Sequence, residues 1–173
     1  EASTIVAACG VSTAIYVYIK KEHPALWLTL LYFSMMELLQ AFTYTIIDDC
    51  TNPANQIATL LGYIHIMFQP FFINALSMYF IPDQIRVRVQ IPVYGLCFVS
   101  VVVMIIQLYP FDWAGSCIES RTLCGSGPFC SLSGNWHIAW NMPLNGIGNF
   151  MHLLYKDFPN PLTLLLNSGY TYG

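Results

Sequence analysis

Apolar residues run along this chain in long blocks, not in the single-face stripes of a soluble helix or the alternation of a half-buried strand. Nearly uncharged blocks cover residues 2–19, 25–47, 57–81 and 91–109, and a fifth, more polar one covers 134–155. About 20 mostly apolar residues suffice to cross a bilayer as a helix. Lys20 and Lys21 close the first block and Pro24 stands at the head of the second, where a helix start tolerates proline. The pattern predicts an all-α fold, a polytopic transmembrane helix bundle of five spans forming a single domain over 1–173. Residues 161–173 read as the start of a truncated sixth span, and Glu1 in place of a methionine suggests a longer parent chain.

Composition agrees. Of 173 residues, 56% are hydrophobic and 9% charged, against roughly 25% charged in an ordinary soluble domain. Aromatics reach 15%, crowding the ends of the apolar blocks as at a headgroup interface. A net charge of -3 with no basic patch argues against nucleic acid as a partner.

Charge and thiols then set an orientation. Threading the spans in alternation puts Lys20, Lys21, Arg86, Arg88 and Lys156 on one face and only Arg121 on the other. The positive-inside rule makes the first face cytoplasmic and places the N-terminus outside. Cys50, Cys117, Cys124 and Cys130 all fall in the outer loops, the last three in the loop 110–133, while Cys9 and Cys97 lie within spans. An oxidising compartment favours disulfides among the four, with three pairings open. Zinc is the weaker reading, because the spacings match no familiar finger and no histidine lies in the cluster.

Strongly polar residues inside spans are costly and face the bundle interior. Glu37 lies about 15 Å below the outer end of the second block and His65 about 12 Å below that of the third, at the helical rise. Gln40 lies one turn from Glu37, and Gln69 follows His65 at i+4. In the fifth block His137, Asn141, Asn145, Asn149 and His152 recur at steps of four or three, as one polar helical stripe. Together these predict an outward-opening polar pocket lined by Glu37, Gln40, His65, Gln69, His137 and Asn141, with Glu37 facing His65. Asn74, Gln107, Asn145 and Asn149 are read as interhelical hydrogen-bond glue, worth about 1 kcal/mol each.

Three functions suit such a pocket. The leading one is a non-catalytic component that binds a ligand or cofactor, or a subunit held among other membrane subunits or copies of itself. Histidine ligates haem iron, and by the same donor logic the magnesium of a chlorophyll-type pigment; His65, His137 and His152 are the candidates. The second is an intramembrane hydrolase acting on lipid, with His65 and His137 as zinc ligands. Its architecture, a multi-span bundle with the N-terminus outside, is similar to membrane hydrolases of the alkaline ceramidase and adiponectin-receptor type. That family pairs a Ser-x-x-x-His element with a later His-x-x-x-His; here Leu61 stands where the serine would precede His65, and the second element is absent. The third is a proton-coupled transporter or channel using Glu37 and His65. No sequence repeat accompanies it.

Overall fold

In the computed structural model, residues 2–117, 123–135 and 137–147 are described. They form α1 (Ala2–Ile19), α2 (Pro24–Thr43), α3 (Pro53–Phe80), α4 (Asp83–Gln107), β1 (Leu123–Cys124), β2 (Cys130–Ser133) and β3 (Ile138–Met142). The four helices are each long and apolar enough to cross a membrane. The chain divides into two units, one of Glu1–Ile46 with Leu60–Val103, the other of Ile47–Thr59 with Met104–Gly173.

The first unit is helical. Lys21, in the left-handed region at φ 57, turns the chain between α1 and α2. Pro24 opens α2, and the His23 imidazole accepts the Ala25 N–H at 3.2 Å, satisfying a donor that a helix start otherwise leaves free. α1 and α2 meet over small residues: Ala7 and Ala14 are buried on one, Ser34 on the other. At Gly10 the approach is so close that a Cβ would lie 2.1 Å from Ser34 Oγ. Without lipid–helix contrast to drive association, close backbone packing of this kind is what holds membrane helices together. α2 joins α3 through Thr29, whose hydroxyl donates to the Phe72 carbonyl at 3.1 Å. α3 joins α4 through Phe71 stacked on Tyr94 at 6.1 Å and Asn74 Nδ2 donating to Cys97 Sγ at 3.5 Å. The large apolar side chains are turned outward, Ile91 being 77% and Leu96 71% exposed. In water that is inside-out; in hydrocarbon it is the ordinary arrangement.

The helix ends differ from the apolar blocks. α2 stops at Thr43, α3 starts at Pro53, and α4 starts at Asp83 and ends at Gln107. The added turns are polar ones with good starts. Asn52 Oδ1 accepts the Ala54 N–H at 2.9 Å, and Asp83 puts a carboxylate in the first turn of α4.

The second unit carries a three-stranded sheet in the order β1-β3-β2. β1 pairs with β3 in parallel (Leu123 with Asn141), and β2 pairs antiparallel to it (Cys130 with Asn141, Ser133 with Ile138). This overturns the fifth span: residues 138–142 are a strand, not the middle of a helix. Periodicity misleads here because His137, Asn141 and Asn145 stand four apart, a spacing that keeps residues on one face of a strand as well as of a helix. Pro143 and Gly146 end the segment, and the pairing with β2 settles it. Residues 148–173, with Asn149, His152, Lys156 and the expected start of a sixth span, lie outside the described residues.

Two disulfides staple the unit, Cys50–Cys130 across 80 residues and Cys117–Cys124 across 7. They are the expected thiols in one of the three open pairings. Cys9 and Cys97 are free.

Candidate functional site

β2 is an edge strand, and its outer side would present unpaired backbone groups to any passing strand. The segment between α2 and α3 closes it. Asn55 Nδ2 donates to the Ser131 carbonyl at 3.1 Å while its Oδ1 accepts the Ser131 N–H at 2.7 Å. The Asp48 N–H donates to that same carbonyl at 3.0 Å. The Asp48 carboxylate accepts the Ser133 N–H at 2.7 Å and the Ser133 hydroxyl at 2.6 Å. Thr59, one turn beyond Asn55, lies 2.8 Å from the Ser131 hydroxyl. Asn55, Thr59 and Ser131 are 0% exposed, so the bonds among these three satisfy groups that water cannot reach. The hydrogen bonds from Ser133 hold the exposed Asp48 carboxyl below the usual carboxylate range. Asp48 adopts φ 68, a left-handed turn conformation that Asp tolerates better than most residues.

Asn145 closes the other seam. Its Nδ2 donates to the carbonyls of Ile106 at 2.7 Å and Tyr109 at 2.8 Å, and its N–H to that of Gln107 at 2.8 Å. Ile106 and Gln107 close α4 and Tyr109 follows two residues on, so Asn145 adds bonds to the carbonyls of the helix end and the turn after it. Asn145 is therefore glue, though it caps a helix and does not bridge two.

In the first unit the notable group is built around His65. The Tyr32 ring lies stacked between His65, at 3.8 Å between centroids, and Phe72, at 3.7 Å. The Tyr32 hydroxyl donates to the His65 carbonyl. His65 Nε2 is buried and has no hydrogen-bond partner among the described residues, as has Asn141 Oδ1 in the second unit. Beside this aromatic column lies an apolar cleft of about 220 Å³, bounded by Leu28, Phe71, Phe72, Ala75 and Tyr94. Thr29 also borders it, but its hydroxyl is engaged by the Phe72 carbonyl.

The residues expected to line one polar pocket are distributed as follows. Glu37 and Gln40 lie half-buried on α2, and His65 and Gln69 half-buried on α3. No hydrogen bond or ion pair joins Glu37 to His65 among the described residues; Tyr32 is the neighbour that engages His65. His137 is exposed in the bend before β3, and Asn141 is on β3 itself. The helical stripe that was to carry His137 and Asn141 into the bundle is absent, because their segment is strand. Among the described residues no three His, Cys, Asp or Glu side chains come together as a metal site.

Tyr32, Asn55, Thr59 and Ser131 were not foreseen as site residues. A signal existed for two of them: Asn55, Thr59 and Tyr63 recur every fourth residue and are at most 1% exposed, a single polar face at the start of an otherwise apolar helix. Ser131 carried none, since its partner lies 76 residues away in sequence.

A family described as "Family of unknown function (DUF5765)" matches residues 1–172. No curated protein and no solved structure matches the chain.

Proposed function

We propose that this chain, which belongs to the DUF5765 family, is a non-catalytic integral membrane component that holds a ligand within its helical unit as part of a larger membrane assembly. One observation carries this reading: His65 Nε2 is buried and has no hydrogen-bond partner among the described residues. An unsatisfied buried nitrogen costs about 1–3 kcal/mol, and a bound ligand removes that cost by supplying the missing partner. Imidazole nitrogen suits a metal-centred ligand such as haem or a chlorophyll-type pigment, or a hydrogen-bonding lipid-soluble molecule.

The N-terminus and the disulfide-bearing unit belong on the exoplasmic side in this reading. Two considerations support it. Four spans return the chain to its starting face, so the segments bearing Cys50 and Cys130 share a side and are free to bond. Lys20, Lys21, Arg86 and Arg88 then sit together on the opposite, cytoplasmic face.

The test is an absorption spectrum, metal content and solvent extract of the protein purified from its own membranes, compared with His65→Leu. Loss of one bound species in the variant, with both disulfides retained, is expected. Identical bound species in both proteins would remove His65 from the site. Stoichiometric zinc lost on substitution would return the lipid hydrolase in its place.

A further inference from the structure

The apolar cleft between α2, α3 and α4 has a specific address. Leu28 lies about 6 Å, at the helical rise, from the start of α2 at Pro24, immediately after the cationic turn Lys20–Lys21. Phe71 and Phe72 lie about 12–14 Å before the end of α3 at Phe80, and Tyr94 about 9 Å beyond Arg88 on α4. The cleft therefore lies below one end of the helical unit, at the depth of acyl chains under their headgroups.

Its walls are chiefly hydrocarbon. Ala25, Leu28, Phe71, Phe72 and Ala75 offer no donor or acceptor side chain, the Thr29 hydroxyl is occupied by the Phe72 carbonyl, and Tyr94 brings its ring and a single phenol hydroxyl. At about 220 Å³ the space is smaller than the roughly 300–1,000 Å³ that holds a drug-sized ligand. A macrocycle does not fit, whereas part of one hydrocarbon chain does.

The rim adds a sign. Four cations, Lys20, Lys21, Arg86 and Arg88, stand at this end against two carboxylates, Glu22 and Asp83. Arg86 is tied to Asp83. Lys21 and Arg88 are exposed and make no ion pair among the described residues. A net positive rim above an apolar slot is complementary to a phosphate headgroup with its chain hanging into the membrane.

We infer that this cleft is a binding site for an anionic phospholipid of the leaflet facing the cationic turns, with one acyl chain between Leu28, Phe71 and Tyr94 and its phosphate near Lys21 and Arg88. The inference rests on the helical unit spanning a bilayer. It is independent of the ligand assigned to His65.

The experiment reconstitutes the full chain in vesicles of phosphatidylcholine with graded phosphatidylglycerol, then measures lipid retained through detergent extraction by native mass spectrometry. A preference of about fivefold or more for phosphatidylglycerol at low salt is expected, reduced at high ionic strength. Lys21→Gln with Arg88→Gln abolishes the preference while leaving retention of phosphatidylcholine. Ala75→Phe and, separately, Leu28→Trp fill the slot and cut retention of both lipids, in protein whose helicity and disulfides match the parent. Equal retention of the two lipids by the parent protein overturns the inference. So does undiminished retention in both slot-filled variants, or a dimer in which a second copy occupies the cleft. His65→Leu is expected to retain the phospholipid, so failure here and failure of the His65 site are separately visible.

Discussion

Asn55 stands in for a β-strand: with one side-chain amide it both donates to and accepts from the backbone of Ser131. An edge strand is thereby closed by a residue in the first turn of a helix, and no further strand is needed. The Cys50–Cys130 bond ties the same two segments together covalently, one residue before Ser131.

Removing the amide is therefore expected to cost more than removing its neighbour's methyl or hydroxyl. Asn55→Ala leaves the buried Ser131 N–H without its partner, at about 1–3 kcal/mol, and the Ser131 carbonyl with the Asp48 N–H alone. Thr59→Val loses the hydroxyl's contacts with Asn55 and the Ser131 hydroxyl but keeps the shape and leaves the Asn55 amide on the Ser131 backbone. Thermal unfolding in detergent should rank Asn55→Ala well below Thr59→Val, and equal melting temperatures would show that the amide does not carry the seam.

The two disulfides should contribute unequally. In the chain-entropy relation a crosslink closing 80 residues is worth about 4.5 kcal/mol and one closing 7 about 2.4. Helices that stay inserted in a bilayer when the disulfide-bearing unit opens reduce the first figure. The Cys50→Ser, Cys130→Ser pair is nevertheless expected to lower the melting temperature more than the Cys117→Ser, Cys124→Ser pair, and the reverse order would place the main staple at Cys117–Cys124.

Asp48 makes stability depend on pH at the acid end. Its carboxyl is held below the usual range by hydrogen bonds from Ser133, so the folded pKa is lower than the unfolded one. The contribution is then fully present above about pH 4, the unfolded carboxylate value, and is lost as pH falls through the lower folded value. Melting temperature measured down through pH 3 should fall for the parent more steeply than for Asp48→Asn. Parallel curves would dissociate Asp48 from the acid limb.

Gly10 is expected to tolerate no side chain. A Cβ there meets Ser34 Oγ at 2.1 Å and Ser34 Cβ at 3.2 Å, and Ser34 is anchored by donating to the Leu30 carbonyl at 2.6 Å. Gly10→Leu should separate α1 from α2 and destabilise by about 1–3 kcal/mol or more. Ser34→Gly in the same molecule should rescue Gly10→Ala, read as recovered melting temperature. A Gly10→Leu protein as stable as its parent would mean that α1 packs loosely.

The sequence alone determined the four membrane-length helices, and for a simple reason. Burying a backbone in hydrocarbon requires a long uncharged run, and such a run is local, so Ala2–Ile19 could be read to the residue. The same locality identified Cys50, Cys117, Cys124 and Cys130 as the thiols destined for disulfides. Helix ends were less legible, because Asp83 and Arg86 extend α4 by capping and charge pairing beyond its apolar part. The tertiary structure alone decided the fate of residues 138–142, the disulfide pairing and the partner of Asn55. Each depends on a contact between segments far apart in the chain: Asn141 becomes strand by meeting Cys130 and Leu123, and His65 is met by Tyr32 from another helix. A periodicity reports which faces a residue could share, and only the packed fold selects the neighbour that occupies one.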